Sequence, residues 1–166
     1  MKYNGFTRKA AGLMDVLWSD LGVFPCVRDD VDGKIAPEKQ FKIFKGIWDT
    51  GATNSVINQS VVDSLGLVAF EKTIIRHAQG TTETFLYLVN FILPCNICVE
   101  NLSVSKGDLD SDFDILIGMD VIGMGDFSVS NFQGKTAFSF RIPSVAEADF
   151  NSSPPVGKGT GGVMVF

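Results

Sequence analysis

Histidine occurs once in this 166-residue chain, cysteine three times, and charged residues make up only 20% of it. A lone His77 with no plausible nucleophile to serve argues against a Ser-His or Cys-His catalytic arrangement. The odd count of Cys26, Cys95 and Cys98 excludes a full disulfide framework within one chain and fits a reducing, cytoplasmic setting. Positive charge is scarce as well. Fourteen Lys and Arg against 19 Asp and Glu leave a net charge of -5, which offers no broad match to nucleic acid or to an anionic membrane. No apolar run approaches the roughly 20 residues that span a bilayer. Near the start, the apolar stretch after Lys2, Arg8 and Lys9 is broken by Asp15, Ser19 and Asp20 and carries no cleavage signal, so no secretion is expected.

What is present is apolar: 45% hydrophobic residues, 14 of the 166 being Phe, enough to bury one core of ordinary size. Leu13 to Phe24 reads as a strand or hairpin arm, followed by a polar turn from Arg28 to Gly33. Phe41, Ile43, Ile47 and Trp48 form a second apolar segment that runs into Asp49-Thr50-Gly51-Ala52. Ser60-Val61-Val62-Asp63 has the form of a capping box, with Gly66 to stop a short helix. Thr84 to Leu93 is apolar on both phases, as in a strand covered on both faces, and Pro94 ends it. Strands are further expected around Ile97 to Val104, at Asp114 to Gly118, at Asp126 to Ser130 and at Lys135 to Phe140, with a helical turn after Gly118. Many short strands, Gly-marked turns and no long helix predict an all-β barrel or sandwich. Residues 1–143 form the expected single domain, and 144–166, rich in Gly, Ser and Pro, a mobile tail.

The chemistry gathers in two short motifs. Asp49-Thr50-Gly51-Ala52 places a carboxylate, a hydroxyl and two small residues at the end of an apolar strand. Further along, Ile115-Leu116-Ile117-Gly118-Met119-Asp120-Val121-Ile122 is an apolar strand that ends in Gly. The pair resembles the retropepsin-like aspartic proteases, in which an Asp-Thr/Ser-Gly-Ala loop is followed by a hydrophobic-hydrophobic-Gly motif that packs beside it. On that resemblance Asp49 is the catalytic residue, and Thr50, Gly51, Ala52, Leu116, Ile117 and Gly118 support its loop. The resemblance covers roughly residues 41–141 and is nearest in wording to the cellular and bacterial members. It implies a closed acid-protease β-barrel with one or two short helices. It also implies a flap hairpin between the motifs, where Ala78, Gln79, Gly80 and Thr81 meet the substrate.

Carboxylate-driven peptide hydrolysis needs two acids that share a proton, one activating water and one protonating the departing nitrogen. This chain has one Asp-Thr-Gly, so the resemblance implies a twofold homodimer in which Asp49 faces its copy. The expected activity is that of an aspartic endopeptidase on peptide or protein substrates, without cofactor or metal. The alternative is a catalytically silent, dimeric peptide-binding or scaffold protein of the same shape. Two departures stand out. Viral relatives place an acid after the Ala and an Arg after the second Gly, forming an ion pair; here those positions are Thr53 and Met119. The chain also runs beyond the strand that matches the viral C-terminal one, which makes Phe138, Phe140 or the tail candidates for the interface.

The remaining motifs read as structural. Cys95-Asn-Ile-Cys98 has redox or zinc spacing but follows Pro94 between strands, so unreactive thiols are expected. Asp108, Asp110, Asp112 and Asp114 alternate as in a calcium loop, yet Phe113 sits where Gly is required, leaving a solvated acidic turn. The run from Gly157 to Gly162 lacks phosphate-loop spacing.

Overall fold

A computed structural model describes residues 2–26, 41–77 and 80–149. Along them run ten strands, two short α-helices and one 3-10 turn: β1 (Asn4–Lys9), β2 (Trp18–Pro25), β3 (Lys42–Trp48), β4 (Val56–Ile57), α1 (Gln59–Leu65), β5 (Glu71–His77), β6 (Gly80–Ile92), β7 (Cys98–Lys106), β8 (Ile115–Ile117), α2 (Met119–Ile122), β9 (Asp126–Ser130), the 3-10 turn (Phe132–Gly134) and β10 (Ala137–Ile142). They fall into a three-stranded sheet, β1-β10-β9, and a seven-stranded one, β2-β3-β8-β4-β7-β6-β5.

This corrects the expected all-β closed barrel. A pairing of Gly22–Pro25 with Val89–Ile92 bends the large sheet back on itself. Even so, among the described residues β5 pairs with β6 alone, and β1, β9 and β10 stand in a sheet of their own. The architecture is mixed, with few and short helices and two sheets, and the strands do not close into one barrel. The physical reason lies in the ends of the chain. β1 carries a single apolar side chain, Phe6, between polar residues, and it packs against Phe138 of β10 and against Trp48.

Aromatic packing joins the sheets. The Trp48 ring lies 5.1 Å from Phe140, 5.6 Å from Phe6 and 5.7 Å from Phe127, which it stacks at 12°. Its indole N–H donates to the buried Ser19 hydroxyl at 2.9 Å, so no polar atom of the ring is stranded. Phe138 and Phe140 are completely buried in this cluster and are not available as an interface, contrary to expectation. Beneath the large sheet, alternate residues Tyr87, Val89 and Phe91 of β6 pack with Ile57, Val61, Val104, Ile115 and Ile117. Asn90, buried beside them at a register shift, donates to the Pro25 carbonyl and accepts the Asn101 amide.

Local expectations hold with shifted edges. The apolar stretch from Leu13 becomes a strand only at Trp18, because residues 10–14 instead bond to Thr136. The first helix is capped by Asn58, whose Oδ1 accepts from the Val61 amide at 3.1 Å, while Ser60 turns its own hydroxyl to that same oxygen. Gly66 ends the helix at φ 60°, the left-handed geometry that favours glycine. Past β10, Ser144 and Val145 bond to Asp126. Residues 150–166 of the expected tail, and the turn from Arg28 to Gly33, lie outside the described residues.

Candidate active site

Asp49 is the residue that follows β3, half-buried, and backbone hydrogen bonds tie its loop to β8 and α2. β8 threads between two strands: it runs parallel to β3, matching Trp48 with Ile117, and antiparallel to β4, matching Val56 with Leu116. The Asp49 amide donates to the Ile117 carbonyl at 3.0 Å, and the Ala52 amide to the Asp49 carbonyl at 3.3 Å. On the far side of the turn, the Met119 amide donates to Ala52 at 2.8 Å and the Asp120 amide to Thr53 at 3.1 Å. The two motifs are thereby stitched into one unit, with Asp49, Thr50, Gly51 and Ala52 on one side and Leu116, Ile117 and Gly118 on the other.

Gly118 is dictated by space. A Cβ there would sit 2.6 Å from the Asn54 carbonyl carbon, 2.8 Å from its oxygen and 3.1 Å from the Ala52 oxygen. The neighbours are backbone and cannot swing aside, so only glycine permits this approach. At Gly51 the requirement is milder, since a Cβ would meet only Asp49 Oδ1 at 3.1 Å.

The Asp49 carboxylate accepts the Gly51 amide at 2.8 Å. Among the described residues no second carboxylate bonds to it. Thr50 and Gly51 are exposed beside it. Concavities of about 950 Å³, against the three-stranded sheet at Thr7, Ser128 and Arg141, and of about 480 Å³, at Asp20, Phe41 and Ile92, are lined by other parts of the chain.

Between the two motifs, where a flap is expected, two strands pair as neighbours. β5 and β6 pair antiparallel from Glu71–Leu86 to His77–Gly80. Gly80 opens the returning strand at φ 136°, a conformation L side chains rarely adopt, and Thr81 follows it, exposed. Ala78 and Gln79, between the strands, lie outside the described residues.

Two residues escaped the sequence reading. Ser55 is fully buried, and its amide and hydroxyl both donate to the Asp120 carboxylate at 2.8 Å. Its oxygen accepts the Gly118 amide at 3.1 Å. The only sequence signal was an acid two places after the motif Gly. Asp114 also departs from the solvated turn expected of it. Its carboxylate accepts the Lys45 amide at 3.1 Å and bonds Asn58 and Ser60, tying β3 to the start of α1, whereas Asp108, Asp110 and Asp112 are exposed.

No group of three or more His, Cys, Asp or Glu among the described residues is placed to hold a metal. Cys26, Cys95 and Cys98 form no disulfide, and the Cys26 thiol donates to Asn101. Among the described residues no helix is long and apolar enough to cross a membrane.

Asp49 thus stands on a tight glycine loop braced by the Leu116-Ile117-Gly118 strand end. Residues 31–121, more than half of the chain, match the family described as aspartyl protease, and the chain belongs to that family, within the retropepsin-like superfamily. The crystal structure of a retropepsin-like aspartic protease from Rickettsia conorii is similar in fold, with a TM-score of 0.51 at 14% identity, covering 86% of this chain and 97% of that one. The EIAV protease complexed with the inhibitor HBY-793 aligns with a TM-score of 0.40 at 21% identity, over 49% of this chain and 75% of its own. No curated protein matches the chain in sequence.

Proposed function

We propose that the protein is an aspartic endopeptidase that works as a homodimer, with Asp49 of each copy forming the catalytic pair. One observation carries the reading: a half-buried carboxylate is held by backbone bonds of its own loop, and among the described residues no second acid is bonded to it. Such a group is half of a proton-sharing dyad, and a twofold axis supplies the other half with the same geometry.

In this reading one Asp49, ionised, takes the proton of a bound water as it attacks the scissile carbonyl. The other, protonated, hydrogen-bonds the carbonyl oxygen and later passes its proton to the leaving nitrogen. The Gly51 amide holds the ionised carboxylate in place, and Thr50 bonds across the axis. The β5–β6 hairpin closes over an extended peptide through Ala78, Gln79, Gly80 and Thr81. Because the cleft forms only between copies, the isolated chain is inactive. The same proposal puts the enzyme in the cytoplasm, supported by the odd count of three cysteines, and gives it protein rather than nucleic-acid partners, supported by its acidity.

The test uses acid-denatured albumin as probe, with cleavage followed by mass spectrometry between about pH 4 and 7. Intact protein is expected to cut it. Asp49→Asn is expected to lose about a hundredfold to ten-thousandfold in rate, the usual weight of a general acid or base, while keeping its melting temperature and mass. Equal cleavage by both, or none by either, overturns the proposal.

A further inference from the structure

We propose that Asp120, acting through Ser55, is a positioning residue that sets the Asp49 loop inside each chain before any partner arrives. The inference rests on the peptidase reading above. Ser55 is fully buried, so its amide and hydroxyl need partners, and both find them on one carboxylate, at 2.8 Å each. That carboxylate also accepts the Val121 amide at 3.0 Å, which fixes it to the start of α2. The hydroxyl oxygen in turn accepts the Gly118 amide. Thr53 and Ala52 receive the Asp120 and Met119 amides. Residues 52–55 and 118–121 are thereby clamped from both sides, and Asp49 leaves β3 three residues before that clamp.

The positions after Ala52 and Gly118 are Thr53 and Met119, so no ion pair joins the loop to the turn there. The hydroxyl-carboxylate clamp does that work two positions beyond Thr53 and one beyond Met119. It needs Asp120 ionised to accept three donors, and it needs a hydroxyl at position 55 to both donate and accept. An Asn at 120 turns one acceptor into a donor, leaving either the Ser55 amide or its hydroxyl hydrogen without an acceptor.

The experiment compares intact protein, Asp120→Asn, Ser55→Ala and the double variant, at a concentration where all are equally assembled. A fluorogenic peptide built on the fastest cleavage site in albumin gives kcat and KM, and amide hydrogen exchange is read along the chain. Each single change is expected to lower kcat about tenfold to a hundredfold, as small misplacements of a catalytic group do, with KM within about twofold. The double variant falls no further than the worse single one, because both remove one unit. Exchange speeds up at residues 52–55 and 118–121 and not in β6 or β10. Unchanged kcat, additive losses, or exchange that rises evenly along the chain overturns the inference. Should Asp120→Asn fail to fold, Ser55→Ala carries the same readings alone. If the intact protein cuts nothing, the function reading fails, and the exchange pattern by itself decides the clamp.

Discussion

Replacing Gly118 by alanine tests how tightly the second motif must press on the first. The added methyl would meet the Asn54 carbonyl carbon at 2.6 Å and its oxygen at 2.8 Å, well inside ordinary contact of about 3.5 Å, so loop or turn must retreat by most of an ångström. Overpacking of this kind costs about 1–3 kcal/mol. Retreat also stretches the Met119–Ala52 bond and the Gly118–Ser55 bond, each contributing about 1 kcal/mol. A loss of about 2–4 kcal/mol follows, read as a lower urea midpoint with unchanged slope, at one fixed protein concentration. Gly12→Ala is the control, since nothing lies within 4 Å of a Cβ there, and it is expected to stay within about 0.5 kcal/mol of the parent. Peptide turnover by Gly118→Ala falls as well, because Asp49 moves with its loop. If Gly118→Ala matches Gly12→Ala in both midpoint and turnover, the claim that the glycine motif sets the acid loop by close backbone approach is wrong.

Trp48→Ala removes the ring that joins the two sheets and leaves the buried Ser19 hydroxyl without its partner; a loss of about 3–5 kcal/mol is expected in the same melt. Trp48→Phe combined with Ser19→Ala is expected to lose less than the two changes added separately. The Asp126 carboxyl is held well below the usual carboxylate range, first by the Ser144 hydroxyl, then by the Val145 amide and Arg141. A lowered folded-state value means stability that is fully present above the ordinary aspartate value of 3.8 and is lost as pH falls below it. The stability gap between parent and Asp126→Asn is therefore expected to be widest near neutral pH and to narrow below about pH 4; a gap that is constant with pH contradicts the lowered carboxyl value.

The acid loop was legible because its demands are local and written in residue type: a carboxylate, two small residues, and a glycine where two backbones nearly touch. Likewise Gly66 marks a left-handed stop, and the alternation of Asp126 to Ser130 marks a strand. The division into two sheets was not legible. β1 has the sequence Asn-Gly-Phe-Thr-Arg-Lys, whose single apolar residue gives no periodic signal, and its place depends on pairing with β10 more than a hundred residues away. Phe138 and Phe140 read as equally suited to a core or an interface, since hydrophobicity alone does not say which surface covers it. Asp114 and Asp120 passed as turn and helix acids because their partners, Lys45, Asn58 and Ser55, lie 56 to 69 residues away. Such bonds are invisible until the strands are registered.

The claim that two copies of Asp49 make one site is tested most directly by mixing. Intact and Asp49→Asn chains are combined in equal amounts, unfolded and refolded together so that partners are drawn at random, and assayed at constant total chain. One dimer in about four then carries two intact acids, and activity is predicted to fall to about a quarter of that of the intact protein. A fall to only about a half, in simple proportion to intact chains, would mean that each Asp49 works without its copy.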